Sequence, residues 1–182
     1  MCIRDRSYID TKQAQRAAEV AVSDGERLAT LAWLAGTGYP AESLDKAWRQ
    51  LVFGAHHDAI TGTESDQVYL DLLGGWREAF ERGDSVREEA AGFLASLVNT
   101  TRKNEGGGAG LDPSRRALVV FNTLSWPRSG LATRTLTFPD PGMPWLALFD
   151  EAGNAVPFLA EGIRWHPDQL SLIHISEPTR PY

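Results

Sequence analysis

The sequence predicts an α+β chain: an antiparallel three-helix bundle followed by the beginning of an antiparallel β-sandwich domain. Three observations carry this expectation. Apolar residues recur at helical spacing from about Asp10 to Val98, a glycine-rich run from Asn104 to Gly110 then interrupts the pattern, and beyond it runs of β-formers alternate with turn residues and prolines.

The first helix is expected over residues 10–35, rich in Ala, Gln, Glu, Arg and Leu, with Ala14, Ala17, Ala21, Leu28 and Ala32 as its apolar stripe. Thr37-Gly38-Tyr39-Pro40 breaks it. Pro40 is placed to open a second helix, where its missing N–H costs nothing, and Leu44, Ala47, Trp48, Leu51 and Val52 give that helix a buried side. Residues 54–63 show no period and end in Thr-Gly-Thr, the pattern of a tight loop. A third helix follows, with Thr63-x-x-Asp66 as its N-terminal signal and Val68, Leu72, Trp76, Ala79, Phe80, Ala90, Leu94 and Leu97 as its stripe. Gly74, Gly75 and Gly83 are expected to weaken it. Trp33, Trp48, Trp76, Phe80 and Phe93 fall at helical spacing and read as core. Three helices with short connections pack most simply as an antiparallel bundle.

Residues 102–115 read as a flexible linker. Beyond it, residues 117–121 and 131–138 are strand-like, and 145–149 with 155–159 form a hairpin pattern around Glu151-Ala152-Gly153-Asn154. Pro127, Pro139, Pro141, Pro144 and Pro157 favour edges and turns. Trp126, Trp145 and Trp165 could stack on a sugar, but an unfinished sheet also leaves aromatic faces uncovered.

Composition excludes several function classes. The 182 residues carry a net charge of −6 with a pI near 5.2 and no basic cluster, which argues against nucleic acid and anionic membrane as partners. No apolar run is long enough to span a bilayer and no N-terminal signal is visible, so the piece is expected to be soluble, and cytoplasmic if its source is bacterial. The only cysteine is Cys2, which leaves the rest of the chain without thiol chemistry.

Both ends look foreign. Met1-Cys2-Ile3-Arg4-Asp5-Arg6 back-translates to a stretch of DNA whose reverse complement encodes Leu-Ser-Leu-Ile-His, and Leu170-Ser171-Leu172-Ile173-His174 stands at the far end. The element resembles a transposase end used in sequencing-library preparation. On that reading residues 1–6 and 170–182 are adapter-derived. Residues 7–101 are then a helical domain, 102–115 the linker and 116–169 a truncated β-domain.

The chemistry sits in Gly54-Ala55-His56-His57-Asp58-Ala59-Ile60-Thr61-Gly62-Thr63. Neutral imidazole is a good zinc ligand, and a carboxylate can bind metal or accept hydrogen bonds from sugar hydroxyls. On an extended backbone neighbouring side chains point to opposite sides, so His56 and His57 are not expected to share an ion. Physics alone leaves two readings open: half of a metal site, or a polar surface pair. A catalytic zinc needs three protein ligands, and this segment is not expected to supply three. His166, in Trp165-His166-Pro167, reads as surface, and the sequon Asn99-Thr100-Thr101 as a chance match.

The string His-His-Asp-Ala-Ile-Thr-Gly-Thr resembles the hallmark of the glycoside hydrolase family 38 α-mannosidases. Ala47-Trp48-Arg49-Gln50-Leu51, Glu64-Ser65-Asp66-Gln67-Val68-Tyr69 and Val120-Phe121-Asn122-Thr123-Leu124-Ser125-Trp126 are similar to the same family. The resemblance implies the middle of a longer enzyme, with an upstream α/β catalytic domain and large β-domains downstream. It implies that His57 is a zinc ligand, that Asp58 contacts mannose hydroxyls and that His56 lines the site. The other ligands and both catalytic carboxyls belong to the missing domain, so no catalytic residue is expected here. The intact enzyme would hydrolyse terminal α-mannosides with retention, through two carboxyl groups, with zinc on the sugar's 2- and 3-hydroxyls. A different class, a non-catalytic carbohydrate-binding or interaction module complete as encoded, is the alternative.

Overall fold

The computed structural model describes residues 9–100, 116–138, 146–166 and 169–179, with the backbone alone described at 137–138, 161–166 and 169–179. Residues 1–6, the whole of the linker, Trp145 and the third residue of the sequon lie outside the described part. The chain forms two compact units that meet in sequence between Asn99 and Thr100.

The helical unit holds α1 (Ile9–Leu34), α2 (Ala41–Gly54), a one-turn α3 (His57–Thr61) and α4 (Asp66–Ser96). Tyr69 donates to Asp10 near the start of α4 and α1, and Gly83 meets Gly25 further along both, so these two helices run parallel. α2 runs back between them, its Trp48 bonded to Glu26 of α1 and its last turn to Gln15. The up-down-up bundle expected from the sequence is found.

Of the core stripe expected for α1, Ala21, Leu28 and Ala32 are buried, and the stripe is wider than expected. Thr11, Gln15, Ala18, Val22, Gly25, Ala29 and Ala32 are buried at alternating spacings of four and three, whereas Ala17 is exposed and Ala14 half-buried. Alanine pattern alone could not place this stripe, because alanine is tolerated on any helix face and the true stripe includes two polar residues and a glycine. Trp33, Val52, Val68, Phe80 and Leu97 are also exposed rather than core. Trp76 is the large aromatic that is fully buried, at 1% exposure.

Gly83 does not interrupt α4, which is continuous over 31 residues. A Cβ at Gly83 would lie 2.6 Å from the Val22 backbone nitrogen, and one at Gly25 would lie 2.6 Å from the Gly83 carbonyl oxygen. The two glycines let the backbones of α1 and α4 touch, and the packing gained there offsets the entropic cost of glycine in a helix. Ser65 is the N-cap residue of α4, not Thr63, and its side chain makes no cap hydrogen bond.

Glu78 ties α2 to α4. Its carboxylate accepts from Lys46 at 2.6 Å, from Gln50 at 2.9 Å and from Arg82 at 3.0 Å. These bonds, Lys46 first, hold the carboxyl down to about 2 from its ordinary 4.5.

In the second unit β1 (Gly130–Phe138), β5 (Gln169–Thr179) and β4 (Leu159–His166) form an antiparallel sheet in the order β1-β5-β4. β2 (Leu148–Phe149) and β3 (Ala155–Val156) make the expected hairpin. Its turn is closed by Asp150, which accepts from the Asn154 amide and side chain at 2.8 Å, and by Gly153 at φ 92°. The Asn154 bonds lower the Asp150 carboxyl below its usual range. Residues 117–121 are not a strand, contrary to expectation, because they have no ladder partner among the described residues. A bend follows, in which Asn122 accepts from the Leu124 amide at 3.2 Å and donates to the Trp126 carbonyl at 2.8 Å. Residues 170–179, assigned above to adapter, make up nearly all of β5; ladder bonds use backbone groups and form for any sequence that tolerates extension.

Gly83→Ala should destabilise the bundle by roughly 1–3 kcal/mol through forced separation of α1 and α4. Gly74→Ala, where a Cβ meets nothing within 4 Å, should stabilise it by about 0.5–1 kcal/mol; urea denaturation separates the two signs. Because the Glu78 carboxyl is depressed in the folded state, its contribution is present above 4.5 and lost as the pH falls through about 2. Glu78→Gln should therefore melt below the parent at pH 7, with the gap closing between 4.5 and 2 in a series of thermal melts.

Candidate metal and substrate site

A buried node packs against the last turn of α2, which ends at Gly54. Trp76 of α4 lies against Gly54, where a Cβ would fall 2.2 Å from the indole Nε1. That Nε1 donates to the Gln15 side-chain oxygen of α1, and the Gln15 amide nitrogen donates to the Leu51 carbonyl of α2 at 3.4 Å. The Leu51 carbonyl also accepts from the Ala55 amide at 2.9 Å, the last α-type bond of the helix, before the His56 amide turns to the Phe53 carbonyl at 3.2 Å.

From there the chain turns at once into α3, so the tight connection expected over residues 54–63 contains one helical turn. A single turn is too short to show a period. His56, at φ −54° and ψ 142°, is the N-cap residue, and its Nδ1 accepts from the Asp58 amide at 3.3 Å, the role a Ser or Asp usually takes. The His56 carbonyl accepts from the Ile60 amide at 2.9 Å. Gly62, at φ 68° and ψ 42°, closes the turn in the left-handed region, with its amide on the Ala59 carbonyl at 3.1 Å. Thr61 Oγ1 donates to the His57 carbonyl at 2.6 Å and Thr63 Oγ1 to the Asp58 carbonyl at 3.2 Å. Ala59 is the buried anchor. Each residue of the Thr-Gly-Thr run thus satisfies or terminates part of the turn that carries His57 and Asp58.

The side chains converge outward. The His56 and His57 rings are 4.2 Å apart at 41°, His57 Nε2 is 3.3 Å from Asp58 Oδ1, and His56 Nδ1 is 3.9 Å from Asp58 Oδ2. One ligand atom from each residue lies within 4.8 Å of the others. The expectation that the two imidazoles diverge fails because the backbone bends between the N-cap and the first helical residue instead of remaining extended. All three side chains are open to solvent, His57 the most at 79%. Imidazole and carboxylate are donor types that suit a borderline divalent ion such as zinc.

The bonding distinguishes the two histidines. His56 uses its Nδ1 lone pair on the Asp58 amide, which puts the proton of the neutral ring on Nε2, a donor rather than a ligand. Sequence reading found all three residues but missed Gln15, Gly54 and Trp76 as their support. The signal available was a glutamine at a core position of an amphipathic helix, three residues before Ala18 and seven before Val22.

Fold and site define a class: a helical domain that presents an exposed His-His-Asp cluster just beyond the end of its second helix. Residues 7–94 match the alpha mannosidase middle domain family. The chain is 28% identical to mouse Alpha-mannosidase 2C1 over 137 residues, and 26% identical to the human protein of that name over 138; these segments are 74% and 75% of this chain but 12% of each relative. A glycosyl hydrolase family 38 protein from Enterococcus faecalis shares the fold with TM-score 0.70 at 18% identity, over 98% of this chain and 24% of that one. An alpha-mannosidase from the same organism does so with TM-score 0.65 at 18% identity, over 98% and 23%. Residues 7–94, nearly the whole of the helical unit, carry the alpha mannosidase middle domain, and the chain spans about an eighth of the length of its curated relatives. Among the described residues no helix is long and apolar enough to cross a membrane.

Gly62→Ala should cost about 1–2 kcal/mol locally, because a Cβ is disfavoured at this φ. Amide exchange should quicken at Ile60 and Thr63, and less so for Gly62→Asn, since asparagine tolerates the left-handed region.

Proposed function

We propose that this chain contributes one edge of the active site of a longer, zinc-dependent α-mannosidase that hydrolyses terminal α-mannosides with retention. His57 supplies a metal ligand, Asp58 accepts hydrogen bonds from mannose hydroxyls, and His56 donates to the substrate through Nε2. The observation that carries the reading is the self-supported turn, which directs three ligand-type groups into solvent with their donor atoms within 4.8 Å. Such exposure suits a site completed by other residues. Val52 and Phe53, at 71% and 69% exposed just before the turn, offer apolar surface for an upstream catalytic domain to cover.

When bound, zinc would supply Lewis-acid and templating chemistry at the sugar hydroxyls. The chain's own residues hold and orient. Asp58 lies close to His57 and can keep that ring in place, while Thr61 and Thr63 hold the backbone carbonyls of His57 and Asp58. The nucleophile and the acid/base of a retaining hydrolase are proposed to lie outside this chain.

The test is zinc calorimetry on the chain, with and without His57→Ala, beside an assay on an aryl α-mannoside. Weak binding is expected, reduced in the variant by more than the roughly tenfold that loss of a ligand-orienting group costs, with no turnover. Binding unaffected by His57→Ala would sink the ligand assignment. Tight stoichiometric binding with hydrolysis would show that the chain builds an active site of its own.

A further inference from the structure

The node beneath the turn has a role of its own. Gln15 is polar and only 6% exposed, yet its side-chain amide is bonded at both ends, to Trp76 through oxygen and to the Leu51 carbonyl through nitrogen. The nitrogen also reaches Glu19 Oε1 at 3.0 Å. Trp76 is 1% exposed, and its indole fills the space a side chain at residue 54 would need. One glutamine, one tryptophan and one absent Cβ thus join α1, α2 and α4 at the level where α2 ends, two residues before His56.

We propose that Gln15, Gly54 and Trp76 are positioning residues, which set the direction in which α2 releases the His56–His57–Asp58 turn. Leu51 carries the effect. Its carbonyl accepts from both Gln15 and Ala55, so the last helical bond of α2 shares its acceptor with a side chain of α1. Gly54 brings the indole into contact with the α2 backbone itself, which leaves the exit of the helix no lateral play. A buried polar network fully satisfied in this way favours one arrangement over near alternatives. The role in metal or substrate binding rests on the function proposed above; the geometric claim does not.

The experiment uses the whole chain and two readouts. The ¹⁵N imidazole signals of His56, at a fixed alkaline pH without metal, report whether Nδ1 is the bonded acceptor that the turn requires. Trp76→Phe keeps a ring against Gly54 and removes the N–H; Gln15→Met keeps the length and removes all three Gln15 side-chain bonds, and stands in if the first variant does not fold. Val86→Ala, in the core of α4 ten residues beyond Trp76, is the control, compared at matched loss of melting temperature. Both node variants should shift the His56 signals toward mixed tautomers, with the control at parent values. Unchanged His56 signals in the node variants, or equal shifts in the control, would overturn the proposal. In the second readout, zinc affinity should fall about tenfold in the node variants and not in the control. If the parent binds no zinc while the His56 signals behave as described, positioning stands and the metal reading fails.

Discussion

The contact of Trp76 with Gly54, tied through Gln15 to the Leu51 carbonyl, is the constraint on which the helical unit's geometry turns. An indole is too large to share that space with any side chain at residue 54, and its N–H is too costly to bury without an acceptor. Gln15 meets the second requirement and glycine the first. Truncating a buried tryptophan of this kind costs about 3–5 kcal/mol in general, a large fraction of what holds a small domain together. Whatever anchors the end of α2 also fixes where the His56–His57–Asp58 turn begins.

A second close approach, Gly25 against Gly83, sets the distance between α1 and α4. With Ala18, Ala21 and Val22 beside it, the crossing is built from small residues, so stability there comes from backbone proximity and dispersion. The node lies near one end of the bundle and the crossing further along, and together they leave α4 little freedom to rotate or slide. Polar ties such as Glu78 to Lys46, Gln50 and Arg82 sit at the edge of this core and add specificity of register more than energy.

The turn bearing His56, His57 and Asp58 is organised differently. Its side chains are exposed, but its backbone is nearly saturated with hydrogen bonds: an imidazole caps one end, a left-handed glycine closes the other and two threonine hydroxyls hold carbonyls between them. A turn this short has no helical stability of its own. It keeps its shape through local bonding and through Ala59, and so presents its donor atoms already arranged, which lowers the ordering cost of binding.

Local chemistry was legible in the sequence. Helical periodicity, Pro40 as a helix opener, the hairpin around Gly153 and the ligand types at 56–58 depend on near neighbours along the chain, and each can be read from residues a few positions apart. The eight-residue motif led to the family on the same basis. Tertiary structure alone decided that Thr11, Gln15 and Gly25 join the core stripe of α1 and why α4 runs unbroken through Gly83. It also decided that the two imidazoles meet instead of diverging. In each case the answer depends on what another helix places against the residue, an indole at Gly54 or a backbone at Gly83, and that partner lies dozens of residues away in a register no local pattern encodes.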